Sequence, residues 1–324
     1  MKRRHLLAAG LGTLAAPGIV RAEGKYPERT IRLVVPFPPG GPTDTIGRMT
    51  AERLTGLLGQ TVIVDNKSGA AGSIGAMEVK NAKPDGYTFL FATSSTHAIN
   101  PTAFVKPPYD PIKDFTPISS ICVNPAVLVT HPSMPDSVAG LVDLMKKSPG
   151  RYSYASSGIG SILHLAGEYF KKEVGGMDVV HVPYKGSGPA LQDLLAGNVA
   201  WMFETFGTTL QQHRAGKMRI LGFANATRAA IAPDIPTMSE AGVTGYEAYT
   251  FNLILGPAGL PQPIVDTIDQ ASRKIMADKT VIKFLEDIAA VPATDTSPER
   301  TARFIRGELA KWAPIIRAAD VKIE

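Results

Sequence analysis

Apolar residues recur along this chain in two alternating ways, as short unbroken runs and as longer stretches at helical spacing. The run IRLVV at 31–35 reads as a strand. Residues 45–59 read as a helix, because Ile46, Leu54, Leu57 and Leu58 gather on one side while Thr45, Arg48, Glu52 and Thr55 gather on the other. Residues 61–66 are strand-like, 73–82 helical, and 87–93 a strand again after the turn Pro84-Asp85-Gly86. A second set begins near 121, with strands at 121–130, 152–156, 178–184 and 199–203 and helices at 137–148, 161–174 and 188–197. Strand-like 218–224, a proline-rich loop, strand-like 249–256 and two long C-terminal helices follow, with Pro263 and Pro298 where first helical turns accept proline. Strands that alternate with helices predict an α/β fold with parallel or mixed sheets. Two sets of this size predict two lobes with a cleft between them, lobe 1 from residues 23–122 plus 246–324 and lobe 2 from 123–245.

The first 22 residues stand apart from this pattern. MKRRHLLAAGLGTLAAPGIVRA has a basic start, an apolar middle and a small residue, Ala22, where a peptidase can cut, which is the layout of an export signal. Its apolar run, Leu6 to Val20, is 15 residues long and broken by Gly10, Gly12, Pro17 and Gly18. A membrane span needs about 20. Arg3-Arg4 followed by Leu6-Leu7 resembles a twin-arginine signal, with the ordinary secretory route equally open. No later segment is long and apolar enough to span a bilayer, so the mature chain is expected to be soluble.

Removing the signal changes the electrostatics. Lys2, Arg3, Arg4 and Arg21 are four of the 34 basic residues, leaving 30 against 29 acidic ones. Near-neutrality takes away the basic surface that would argue for nucleic acid or an anionic membrane. At 324 residues and 44% hydrophobic, the chain is long and apolar enough for two real cores. Its single cysteine, Cys122, has no internal partner and reads as a small buried apolar residue.

Candidate chemistry collects in five loops that each follow an apolar strand: PFPPGGPTD (36–44), NKSGAAGSIG (66–75), TSSTHAIN (93–100), ASSGIGS (155–161) and YKGSGPA (184–190). In open α/β sheets ligands gather at the carboxyl ends of strands, where helix N-termini offer unpaired N–H groups. Small residues let that backbone come close. In the first loop the prolines fix the turn, Gly40 and Gly41 bare their amides, and Thr43-Asp44 are expected to cap the next helix. Such loops favour an anion, although they contain only Lys67 and Lys185 as cations. Burying a carboxylate costs several kcal/mol, and a hydrogen bond to a charged group returns roughly 1.5–3 kcal/mol, so several loops must converge to hold one.

Other chemistries find less support. Gly69, Gly72 and Gly75 miss the dinucleotide spacing, 36–44 lacks the Lys-Ser/Thr ending of a P-loop, and no cofactor is expected. There is no G-x-S-x-G elbow and no H-E-x-x-H. His164 and Glu168 lie four apart on a helix, two ligands where a metal site needs more, and no metal is expected. The serine-rich loop 155–161 leaves an exported hydrolase or transferase as the alternative, with Ser156 or Ser157 as nucleophile but no base marked beside them. Glu204, just past the strand 199–203, is placed either to accept from a ligand hydroxyl or amine or to be a capping or solvated carboxylate.

Taken together, YPERTIRLVVPFPPGGPTD (26–44), VIVDNKSGAAGSIG (62–75), PDGYT (84–88), SYASSGIGSILHLAGE (153–168), HVPYKGSGPALQDLLAG (181–197) and PTMSEAGVTGYE (236–247) resemble the Bug family, periplasmic substrate-binding proteins of tripartite tricarboxylate transporters. The resemblance runs along the mature chain in order. It implies a two-lobed Venus-flytrap fold of the type II-like kind, each lobe a mixed or parallel sheet flanked by helices, that closes as a monomer on a small carboxylate and delivers it to membrane permease subunits. It implies a non-enzymatic solute receptor in the periplasm; a sensor that presents its ligand to a signalling protein would carry the same site. Matching positions place Phe37, Gly41, Thr43 and Asp44 in one wall with Ser68, Ala71, Gly72 and Ser94. Ser157, Gly158, Tyr184 and Gly186 face them from the other lobe. The resemblance departs at 201–209, where the family more often has an aspartate at the position of Glu204.

Overall fold

The computed structural model describes residues 26–323, so the expected export signal at 1–22 lies outside the described residues. The first set folds as β1 (Ile31–Val35), α1 (Pro42–Leu58), β2 (Val62–Asn66), α2 (Ser73–Lys80) and β3 (Thr88–Ala92), followed by a wide helical turn at Ser95–Ile99 that runs into the short α3 (Asn100–Ala103). The second runs through β4 (Phe115–Thr130), α4 (Val138–Lys147), β5 (Ser153–Ser156), α5 (Ile162–Glu173), β6 (Val180–Pro183), α6 (Ser187–Leu195), β7 (Trp201–Thr205), α7 (Phe206–Arg214) and β8 (Arg219–Phe223). The chain ends with β9 (Tyr249–Pro257), α8 (Gln262–Ala277), α9 (Lys279–Asp287), the two-residue β10 (Val291–Pro292) and α10 (Pro298–Ala318).

These elements build a two-lobed α/β protein on a mixed sheet in the order β2-β1-β3-β9-β4-β7-β5-β6, with β8 and β10 also paired to β4. β1 is parallel to β2 and β3, and β5 is parallel to β6 and β7. The long β4 joins the two groups. Its first part, Phe115–Pro125, runs antiparallel to β9, and its last part, Ala126–Thr130, runs antiparallel to β7. Parallel neighbours need helical crossovers, which is why α1, α2, α5 and α6 cover the sheet.

Several elements differ from the sequence reading, for physical reasons. α1 starts at Pro42 rather than 45, since proline has no N–H to lose in a first turn and its φ is already helical. The segment 95–103 is helical although it reads as loop, because Ser95–Ile99 is buried on every side and shows no apolar stripe. α7 escapes detection for a related reason: its first turn, Phe206-Gly207-Thr208-Thr209, mixes glycine and β-branched residues. β4 begins at 115 rather than 121, its early part interrupted by register shifts near Pro117 and Ser120. The C-terminal helices number three, because Asp278 is extended and accepts from Thr280 N–H at 2.8 Å, capping α9 afresh.

Three apolar clusters form the core. One runs from Ile31 and Leu33 to Ile268 and Leu285, and one surrounds Val127, Met202 and Phe206 and takes in Ala289. The largest extends from Val34 and Leu90 through Phe251 and Trp312 to Tyr154 and Trp201. Tyr154 stacks on Trp201 at 4.5 Å, and Tyr169 touches both Tyr246 and Trp312. Through Trp312 and Tyr169, α10 thus packs against α5. Cys122 is buried beside Asn252 and Asn124, and burial pushes its thiol up to about 12.

Candidate functional site

The loop after β1 is held from below. The Asp44 carboxylate accepts from Gly40 N–H at 2.9 Å and from Arg48 Nε at 2.9 Å, and its other oxygen accepts from Asn66 Nδ2 at 2.9 Å. Asn66 Nδ2 also donates to the Phe37 carbonyl at 3.0 Å. Burial works to raise the Asp44 carboxyl, but the hydrogen bonds from Arg48, Gly40 and Asn66 outweigh it and hold it below the usual carboxylate range. The helix cap expected at Thr43-Asp44 is in fact Gly41, with Asp44 in the first turn reaching back to Gly40.

The loop after β2 turns through four consecutive positive φ values, Gly69 at 128°, Ala70 at 45°, Ala71 at 52° and Gly72 at 88°. Two of these are alanines in a region that L-residues avoid, a cost the surroundings must hold in place. Asn100 Nδ2 does so by donating to the Ala71 carbonyl at 3.0 Å. Ser94, after β3, ties the sheet: its hydroxyl donates to the Tyr249 carbonyl and accepts from Phe251 N–H, both at 3.1 Å.

Across the cleft, the loop 157–161 leads into α5, which Ser161 caps by accepting from His164 N–H at 3.2 Å. Gly158, at φ 131°, passes 3.3 Å from the Tyr184 carbonyl as measured from an added Cβ, so the loops after β5 and β6 lie against each other. Beneath them is a buried polar stack. His164 and His181 lie ring on ring at 3.9 Å, His164 Nδ1 accepts from Gly160 N–H at 3.2 Å, and His181 Nε2 is 2.7 Å from Ser156 Oγ. Burial pushes both imidazoles down to about 4, so they are neutral near pH 7. Glu168 is spent on Tyr154 and Lys171.

These walls enclose one cavity of about 500 Å³. Four helix N-caps line it: Gly41 of α1, Ser161 of α5, Gly186 of α6 and Thr205 of α7. Four positive helix ends on one cavity favour a negative guest. Its apolar lining comes from Phe37, Pro38, Ile159, Ile162 and Leu163, and Lys185, exposed at the rim, is the one cation among its lining residues. Glu204 is the one acid among them. A smaller cavity of about 170 Å³ between β4, β10 and α10 shares no residue with it.

Of the residues singled out in sequence, the cavity brings together Phe37, Gly41, Thr43, Ala71, Ser157, Gly158, Gly186 and Glu204. Asp44, Ser68, Gly72, Ser94 and Tyr184 are not among its lining residues. Asp44 and Ser94 shape the loops from behind, Gly72 packs on Pro36 and Thr96, Ser68 is exposed, and the Tyr184 hydroxyl is turned to Asp193. Ser95, Ser187, Thr205 and Thr250 line the cavity without having been singled out. Ser187 stands at the start of a helix legible in the sequence; Thr205 caps α7, which is not legible there, and Thr250 is an ordinary strand residue. Ser156 does have an imidazole beside it, a neighbour no sequence spacing announces, but it is fully buried and not part of the cavity wall.

Comparison with known proteins places this architecture. The family described as "Tripartite tricarboxylate transporter family receptor" matches residues 46–321. Protein BugT of Bordetella pertussis is 35% identical over 328 aligned positions, covering 100% of both chains. Among solved structures, R. palustris Rpa4515 with adipate is 35% identical with a TM-score of 0.85, covering 91% of this chain and 98% of that one. MatC from Rhodopseudomonas palustris with bound malate is 30% identical with a TM-score of 0.82, covering 90% of this chain and 100% of that one.

Proposed function

The chain belongs to the tripartite tricarboxylate transporter receptor family, and on that premise we propose that it is a periplasmic receptor that binds one small organic carboxylate between its lobes and delivers it to the permease subunits of a membrane transporter. The observation that carries this reading is the convergence of four helix N-termini on one cavity whose walls come from both lobes. Backbone N–H groups, the hydroxyls of Thr43, Ser157 and Ser161 and ordered water supply the donors that replace a carboxylate's hydration. The adipate and malate carried by two relatives support the same ligand class. Phe37, Gly41, Thr43, Ala71, Ser157, Gly158 and Gly186 are the proposed contacts, with Asp44, Gly72, Ser94 and Tyr184 shaping the loops that present them.

The hinge we propose follows the chain where β4 exchanges β9 for β7, close to residues 122 and 246. A ligand that draws contacts from both lobes favours the closed form. A thermal-shift screen of the mature protein against di- and tricarboxylates, aromatic acids and acidic amino acids tests the reading. At least one carboxylate should raise the melting temperature, since a ligand at 100 times its Kd adds about 2.7 kcal/mol. A rise caused only by sugars or cations would refute it. The bound form should also scatter X-rays with a smaller radius of gyration than the free form.

A further inference from the structure

The cavity already holds an anion of the protein's own. Glu204 lies near the end of β7, in the cavity wall, and is fully buried. Its Oε1 accepts from Thr205 N–H at 2.7 Å and from the Thr205 hydroxyl at 3.1 Å, and the hydroxyls of Ser187 and Thr208 stand beside the carboxyl. Thr205 is the N-cap of α7, so the positive end of that helix faces the same group. Burial works against the charge, but several donors and a helix N-terminus favour the ionised form. Glu204 therefore sets a fixed negative charge at the α7 end of the cavity. The helix starts at Gly41, Ser161 and Gly186 are left for a guest.

This arrangement suits one carboxylate and not two. Inside the same cavity a second carboxylate loses its hydration and finds no cation among the lining residues except Lys185, exposed at the rim. It also meets the field of Glu204, which a low-dielectric interior screens poorly and which reaches beyond contact distance. Much of the remaining wall is apolar. Phe37, Pro38 and Pro39 come from the loop after β1, and Ile159, Ile162 and Leu163 from the loop after β5 and the start of α5. Ile159 is 55% exposed, an apolar side chain that the apolar body of a guest would cover. At about 500 Å³ the cavity lies in the range of pockets that bury guests larger than a four-carbon acid.

We propose that Glu204 is a specificity-determining residue that excludes a second carboxylate, so that the preferred guest is a monocarboxylate with an apolar body, such as an arylalkanoate. This inference rests on the carboxylate reading above and narrows it. It is tested by calorimetric titration of the mature protein at about pH 7.5, where carboxylic acids in water are ionised. Each monoacid is set beside a diacid of the same skeleton: hexanoate beside adipate, and 3-phenylpropanoate beside its 4-carboxy derivative. In each pair the monoacid should bind at least tenfold more tightly. Affinity should also rise from acetate through hexanoate to 3-phenylpropanoate as more apolar surface is covered. Glu204→Gln removes the charge and keeps a carbonyl oxygen for Thr205, and should strengthen the diacids at least fivefold more than the monoacids. A diacid that binds the unaltered protein as tightly as its monoacid overturns the inference and leaves the carboxylate reading standing. So do pair ratios that Glu204→Gln leaves unchanged, because the guest would then feel no charge at Glu204. A flat series from acetate to 3-phenylpropanoate overturns the apolar body. If none of these acids binds while another carboxylate raises the melting temperature, this inference alone fails; if no carboxylate binds at all, both readings fail. The ranking on the unaltered protein decides the matter even if Glu204→Gln does not fold.

Discussion

Asp44 shows how a residue outside the cavity governs it. It is 3% exposed, and its carboxylate holds the Gly40 amide, Asn66 and Arg48 together. Asp44→Ala leaves two partly exposed donors, the Gly40 N–H and one Asn66 hydrogen, to be taken up by water, and should cost about 1 kcal/mol in denaturant unfolding. The Arg48 pair adds little, since that guanidinium is 55% exposed. Because Gly40 and Gly41 line the cavity, the same change should weaken ligand binding by about tenfold; unaltered affinity would show that this loop keeps its shape without Asp44. The family resemblance put Asp44 on the wall, whereas the residues themselves read it only as part of a helix cap. Nothing in that signal tells whether the carboxylate turns outward to a guest or back to the chain's own amides. The same limit holds for Ser94 and Tyr184, whose hydroxyls are spent on Tyr249 and Asp193. Backbone contributors fared differently: Gly41, Gly158 and Gly186 reach the cavity because a bare strand-to-helix turn has only one side open to it.

At the scale of elements, what matters is how loops are forced against one another. Gly40 and Gly72 have similar backbones, φ 84° and φ 88°, but different surroundings. A Cβ at Gly40 meets nothing within 4 Å, whereas one at Gly72 meets Thr96 Cγ2 at 2.9 Å and Pro36 Cβ at 3.3 Å. Gly40→Ala should therefore cost about 1 kcal/mol of left-handed strain. Gly72→Ala should cost about 2–4 kcal/mol, because overpacking adds to the strain. Equal costs for the two in unfolding experiments would contradict the contact between the loops after β1, β2 and β3. The strands and amphipathic helices were legible because one face is apolar and the other polar, as in α1, where Ile46 and Leu54 are buried and Glu52 exposed. The turn at Ser95–Ile99 was not, since a segment buried all round has no stripe to read. α10 was legible as a helix, but its contact with the second lobe through Trp312 and Tyr169 was not, because partners more than a hundred residues apart leave no mark on either segment.

The largest of the three apolar clusters runs through the whole molecule, and buried histidines on both sides of it set the response to acid. His97 lies among Thr96, Tyr109 and Phe115 in lobe 1, its Nδ1 3.0 Å from Thr96 Oγ1 and its Nε2 unpartnered. Burial pushes this imidazole down to about 3. His164 and His181 in lobe 2 are pushed down to about 4, where burial and Lys171 outweigh the opposing pull of Glu168. In the unfolded chain each of these histidines titrates near about 6.5. Between that value and the folded ones, the unfolded state binds more protons than the folded state, so stability falls as the pH falls. The loss begins near pH 6.5 and continues to about pH 4 for His164 and His181 and to about pH 3 for His97, at up to about 1.4 kcal/mol per pH unit for each histidine. Carboxylates held low by their partners, Asp44, Asp65 and Glu168, extend the loss to lower pH. Glu204 alone opposes it, because a raised carboxyl gains stability as it protonates. Three histidines against one acid set the sign. Unfolding free energy should be flat from pH 7 to 8 and drop steeply between pH 6.5 and 4.5. His164→Asn, whose Oδ1 can still accept from Gly160 N–H, should flatten that slope by about one proton's share, while a profile with no decline above pH 4.5 would mean that the stacked imidazoles are open to water and titrate as freely as in the unfolded chain.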